Sequence, residues 1–86
     1  MAKLPVTSGP NLVRALEKAG FQVVRQRGSH VVLQKRLADR TITTVIPQHK
    51  ELATGTLRSI LRQAQVSPEE LIRFLAVILG ISSIIK

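Results

Sequence analysis

Cysteine is absent from these 86 residues, which excludes disulfides and thiolate metal sites. With only two histidines and five acids, no zinc-type ligand spacing occurs, and no metal or cofactor is expected. Trp and Tyr are missing as well, leaving Phe21 and Phe74 as the only aromatics. Readers of single-stranded nucleic acid generally stack bases on aromatic side chains, and this chain cannot build such a platform. Gly55-Thr56 lacks the glycine spacing and the lysine of a phosphate-binding loop, so nucleotide hydrolysis has no support. No stretch is polar and repetitive enough for disorder. The start shows no signal-peptide pattern, and a cytoplasmic location is expected.

What is abundant is positive charge. Thirteen Lys and Arg against five acids give a net charge of +8. The cations run through the chain, at Arg14, Lys18, Arg25, Arg27, Lys35, Arg36, Arg40, Lys50, Arg58 and Arg62, and do not form a tail. A folded domain so charged favours polyanions, above all nucleic acid, through phosphate contacts. The plainer reading is a surface kept soluble by like charge. A length of 86 residues and an apolar content of 44% fit one domain, residues 1–86, with a modest core.

Periodicity predicts the order helix, three strands, helix, helix. Ser8-Gly9-Pro10 opens a first helix over residues 10–19, with Leu12, Leu16 and Ala19 on one stripe and Gly20 as its stop. Phe21 to Gln26 reads as a strand with Phe21 and Val23 on one side and Gln22 and Gln26 on the other, although Val24 breaks the alternation. After an Arg27-Gly28 turn, a second strand from His30 to Arg36 puts Val31 and Leu33 on one face and His30, Val32 and Gln34 on the other. Leu37 to Arg40 is a hairpin loop without the usual Gly or Asn. The β-branched run Thr41–Ile46 is a third strand, ended by Pro47. Thr54-Gly55-Thr56 starts a second helix with Leu57, Ile60, Leu61 and Ala64 on one face. Ser67-Pro68-Glu69-Glu70 is a capping box for a third, so both acids are committed to a helix start. Short connections imply an antiparallel sheet with the helices on one face, an α+β domain whose open face carries His30.

Residues 76–86 form an apolar extension whose helical periodicity fades after Ile78. Twelve helical residues from Phe74 would span about 18 Å, short of a bilayer core of about 30 Å, so no membrane span is expected. The extension either folds onto its own core or forms a partner or self-association surface, including a homo-oligomer.

Gly28-Ser29-His30 places an imidazole where a basic turn enters a strand. Imidazole is the side chain whose unperturbed pKa, about 6.5, lies nearest physiological pH. RNA carries its own nucleophile in the 2′-hydroxyl, so an acid or base plus cations that stabilise the phosphorane is enough to cleave it without a metal. A surface histidine that only binds phosphate is the alternative. His49, after the third strand, is the candidate for a second acid or base. Arg25, Arg27, Ser29 and Lys50 flank the two histidines as candidate phosphate-binding groups, with Arg the better bidentate donor. Arg58 and Arg62, one helical turn apart, are candidates for the same role.

The ordered pieces Gly20-Phe21, Arg25-Gln26-Arg27-Gly28-Ser29-His30, Thr44-Val45-Ile46-Pro47-Gln48-His49, Glu51-Leu52, Gly55-Thr56-Leu57-Arg58-Ser59-Ile60-Leu61-Arg62-Gln63-Ala64 and Ser67-Pro68-Glu69-Glu70-Leu71 together resemble HicA-type (YcfA-like) toxins. The resemblance covers about residues 8–75. It implies a double-stranded-RNA-binding-like fold and an mRNA interferase in a type II toxin–antitoxin pair. It carries the family's catalytic histidine onto His30, matches His49 to a histidine of less defined role, and implies a HicB-type antitoxin that covers the site. The chain departs from the pattern at Leu37-Ala38-Asp39-Arg40, at Gln65, where a glycine is usual, and in its apolar tail. Two other function classes stay open at this level: a non-catalytic RNA-binding module of the same fold, and an interaction subunit working through the tail.

Overall fold

The computed structural model describes residues 3–80. Its elements are α1 (Gly9–Lys18), β1 (Gln22–Arg27), β2 (His30–Arg36), β3 (Thr41–Pro47), α2 (Thr54–Ala64) and α3 (Pro68–Leu79). The three strands make one antiparallel sheet in the order β1-β2-β3. This is the expected α+β architecture, consistent with a double-stranded-RNA-binding-like fold.

Local chemistry sets the helix ends. The Ser8 hydroxyl accepts from Asn11 N at 3.1 Å, and Pro10 stands in the first turn, where its missing N–H costs nothing. Gly20, at φ +102°, closes α1: its N–H reaches Glu17 O at 3.1 Å and Phe21 N reaches Leu16 O at 3.0 Å. These paired bonds satisfy carbonyls the helix leaves open. The Ser67 capping box forms in full, with Glu70 N donating to Ser67 Oγ at 3.1 Å and Ser67 N donating to Glu70 Oε1 at 2.9 Å. That backbone N–H on the carboxylate holds the Glu70 pKa below its ordinary value. Gln65 ends α2 in the left-handed conformation (φ 59°, ψ 39°). A side chain in that conformation costs about 1 kcal/mol relative to glycine. Its Oε1 accepts from Arg40 at 3.2 Å.

One face of the sheet is packed. Val31 and Leu33 of β2 and Ile42 and Ile46 of β3 meet Leu12 and Leu16 of α1, Leu57 and Leu61 of α2, and Leu71 and Leu75 of α3 in a single buried cluster. All three helices therefore contribute to the same core, and α1 also packs against α3. Truncating a fully buried leucine such as Leu16 or Leu71 to Ala costs about 2–5 kcal/mol.

β1 departs from the sequence reading. Every residue of it is exposed, including Val23 and Val24. The register explains this: Val23 pairs with Leu33 but Arg25 with Val32, so Val24 is the extra residue of a β-bulge. A bulge of one residue exchanges the faces beyond it. Gln26, opposite Val31, lies on the core side, while Arg25 and Arg27, opposite Val32 and His30, lie on the open face. Val32 also differs from expectation: although on the open face it is only 9% exposed, because the central strand lies between Arg25 of β1 and Val45 of β3.

The apolar extension is helical through Leu79 and stops at Gly80, at φ +75°. Ile72, Val77 and Leu79 of α3 are exposed. Residues 81–86, most of the expected extension, lie outside the described residues. Among the described residues no helix is long and apolar enough to cross a membrane.

Candidate functional site

The hairpin between β1 and β2 is as tight as a hairpin gets: Gly28-Ser29 join Arg27 directly to His30, its register partner. Gly28 sits at φ +57°, the positive value that a two-residue hairpin turn demands of its first position. The turn thus places Arg27 and His30 side by side on the open face, with Arg25 and Val32 the next pair along. His30 is exposed, and its Nδ1 lies 3.5 Å from Ser29 Oγ, at the outer limit of a hydrogen bond. So weak a contact leaves both ring nitrogens of the exposed imidazole open to a ligand.

On its other side His30 pairs with Pro47 of β3. Just beyond, Gln48 N donates to Ser29 O at 2.6 Å, and Gly9 N donates to His49 O at 2.8 Å. The start of α1, the end of β3 and the β1–β2 turn are clasped by backbone alone. Gly9 is essential to that clasp: a Cβ on it would stand 2.1 Å from Pro47 O. Gln48 adds a side-chain bond from Nε2 to Ile46 O at 3.1 Å. His49 and Lys50 are exposed and follow immediately, so both histidines stand at one end of the sheet. The sequence places Gly9 only at the helix start and Gln48 only in the segment after the third strand; their part in holding the site shows only in the backbone bonds.

The expected phosphate-binding residues fall into two groups. Arg25, Arg27 and Ser29 share the turn and open face with His30, and Lys50 follows His49. Arg58 and Arg62 are exposed on α2, opposite the side that carries Leu57, Ile60, Leu61 and Ala64, and α2 packs on the core face of the sheet. The structure does not bring them together with His30. Among the described residues the one salt bridge joins neighbours Arg40 and Asp39 at 3.1 Å, so folding neutralises few of the cations by pairing. No three His, Cys, Asp or Glu gather there as a metal site.

An exposed imidazole beside two arginines, on a small basic α+β domain, is equipment for handling phosphate. A family model described as HicA toxin of bacterial toxin-antitoxin matches residues 9–66, about two thirds of the chain. The chain belongs to the HicA toxin family. It is thus the toxin of a toxin–antitoxin system, and an antitoxin is its partner. The HicA match runs from the clasping glycine at the start of α1 through the sheet and α2, and includes every candidate site residue from Arg25 to Arg62. It leaves α3 outside. No curated protein matches the chain.

Proposed function

We propose that this HicA toxin is an endoribonuclease that cleaves mRNA without a metal, with His30 as the acid or base. The observation that carries this reading is the pairing of His30 with Arg27 on the open sheet face, with Arg25 beside them. The 2′-oxygen attacks the adjacent phosphorus as its proton leaves, the bond from phosphorus to the 5′-oxygen breaks, and that oxygen takes a proton. The products are a 2′,3′-cyclic phosphate and a free 5′-hydroxyl. His30 transfers one of the two protons, and His49, at the same end of the sheet, is the candidate for the other. Arg25, Arg27, Ser29 and Lys50 hold the phosphate, whose charge grows in the transition state. Arg58 and Arg62 meet the RNA backbone farther along. The antitoxin is of HicB type and acts by covering this face.

The test expresses wild type and His30→Ala in cells and compares growth and transcript integrity. Arrest and RNA loss are expected with the wild type only. In vitro, His30→Ala retains the fold and RNA binding, because His30 is exposed, and loses about 10²–10⁴-fold in cleavage. Undiminished cleavage removes His30 from the mechanism. Salt-sensitive RNA binding by the wild type without cleavage replaces the enzyme with a binding module.

A further inference from the structure

A groove of about 520 Å³ runs between β3 and α2. Thr43 and Thr44 line it from the strand, and Gly55, Thr56, Ser59 and Gln63 from the helix. That volume lies within the range of small-ligand sites, about 300–1,000 Å³. No carboxylate lines it. Its hydrogen-bonding groups are partly committed. The hydroxyl of Thr44, only 1% exposed, donates to Gln63 Oε1 at 3.0 Å, and Gln34 Nε2 donates to Thr43 Oγ1 at 3.3 Å. Gln63 therefore has its carbonyl oxygen engaged and both amide N–H donors left, and Thr43 keeps its O–H to donate. The hydroxyls of Thr56 and Ser59 add two groups that can donate or accept. The groove is neutral and concave, and the Gln63 N–H groups suit it to ligands that present acceptor oxygens.

Its position gives it a role. Thr43 and Val45, which also lines the groove, lie on the open face of β3, in register with Gln34 and Val32. His30 stands two residues along β2 from Val32. One strand spacing and two residue rises put the Val45 and His30 backbones about 8 Å apart. On the far side, Arg58 and Arg62 occupy the solvent side of α2. The groove thus lies between the cations of the open face and those of α2. A polyanion laid from the open face over β3 onto α2 would cross it.

We propose that this groove seats an unpaired ribonucleotide adjoining the cut, held through its base and ribose oxygens, and that it biases which sites are cleaved. The proposal rests on the ribonuclease reading above and deepens it. The groove gives the chain a means of holding a nucleotide without an aromatic platform: Phe21 is buried in the core and Phe74 packs against it.

The experiment has two arms. In the first, cut sites are sequenced in a pool of randomised single-stranded RNA treated with wild type, Thr56→Val and Gln63→Glu. Gln63→Glu keeps an oxygen for Thr44 but replaces both N–H donors with an acceptor. The wild type shows a base bias at one position beside the cut; Gln63→Glu loses or changes it, and kcat/KM on preferred sites falls at least about tenfold. In the second, His30→Ala is titrated by NMR with a short unpaired oligoribonucleotide and with its DNA counterpart. The Gln63 side-chain amide and the Thr56 and Ser59 backbone amides shift with RNA. If RNA moves only the open face and the cut-site bias of Gln63→Glu is unchanged, the groove proposal falls and the nuclease reading stands. If the groove signals move but the wild type never cuts RNA, the groove stands as an RNA site and the nuclease reading falls. If RNA leaves the groove signals still while the antitoxin moves them, the groove docks protein and the proposal is overturned.

Discussion

The same substitution, Gly to Ala, should have opposite effects at two positions of this chain. At Gly9 a Cβ would lie 2.1 Å from Pro47 O and 2.8 Å from Gln48 Cα. Both are backbone atoms, so no rotamer change relieves the clash. An ordinary contact begins at 3.4 Å, so the start of α1 and the Pro47–His49 segment must part by about 1 Å. That displacement pulls on the bond from Gly9 N to His49 O at 2.8 Å and on the neighbouring bond from Gln48 N to Ser29 O at 2.6 Å. Overpacking costs about 1–3 kcal/mol. A lost hydrogen bond adds about 0.5–1.5 kcal/mol, and the helical preference of Ala returns up to about 1 kcal/mol. The net loss is centred near 2 kcal/mol, which for a domain of this size is a fall in Tm of roughly 10 °C. At Gly55 a Cβ meets nothing within 4 Å and the φ is not positive, so Gly55→Ala should stabilise α2 by up to about 0.5–1 kcal/mol. Urea titration of both variants beside the wild type is the assay. Equal stability of Gly9→Ala and wild type, or equal losses at the two positions, would refute the account of the clasp.

Two more outcomes follow from charge. Arg25 and Arg27 share the open face with His30, so replacing both with Ala should lower the slope of log RNA affinity against log salt by about 1–2 while changing stability by no more than about 0.5 kcal/mol; an unchanged slope in a salt-series binding assay removes them from the RNA path. The Glu70 carboxylate is held below its ordinary 4.5 chiefly by the Ser67 N–H, so its stabilisation is complete above that value and is lost as pH falls through the folded-state pKa; Glu70→Gln, which keeps an accepting oxygen but never the charge, should be less stable than wild type near pH 7 and lose less stability below pH 4.5 in acid-unfolding curves.

The helices and the second and third strands were legible because each has one apolar face, and α1 and α3 also have chemically marked starts, which α2, capped by Ala53, lacks. Ser8, Gly20 and Ser67 act as their positions in the pattern predict, and Val31, Leu33, Ile42 and Ile46 alternate strictly into the core. The first helix is displaced by one residue from the predicted 10–19, and the third strand takes in Pro47, which an edge strand tolerates. The open-face position of His30 followed from the same alternation. β1 was not legible because its register depends on the bulge at Val24, and two adjacent valines do not say which of them is extra. That ambiguity decides whether Arg25 and Arg27 face His30 or the core. The groove was not legible either: Thr43, Thr56 and Gln63 each read as ordinary surface residues, and only the packing of α2 along β3 makes a cavity of them.

The proposed site separates chemistry from folding in its side chains and joins them in its backbone. His30, Arg25, Arg27, His49 and Lys50 are all exposed, and none contributes to the buried cluster. Changing any of these side chains should alter activity or binding with little effect on stability. The geometry that sets their spacing is held by Gly28, which closes the turn at φ +57°, and by the bonds from Gln48 N to Ser29 O and from Gly9 N to His49 O. Three segments remote in sequence meet there, and no side-chain atom takes part in the two joining bonds. A substitution that disturbs this clasp therefore acts on stability and on the placement of His30 and His49 together. Loss of activity in Gly9→Ala should accompany loss of stability, whereas loss of activity in His30→Ala should not.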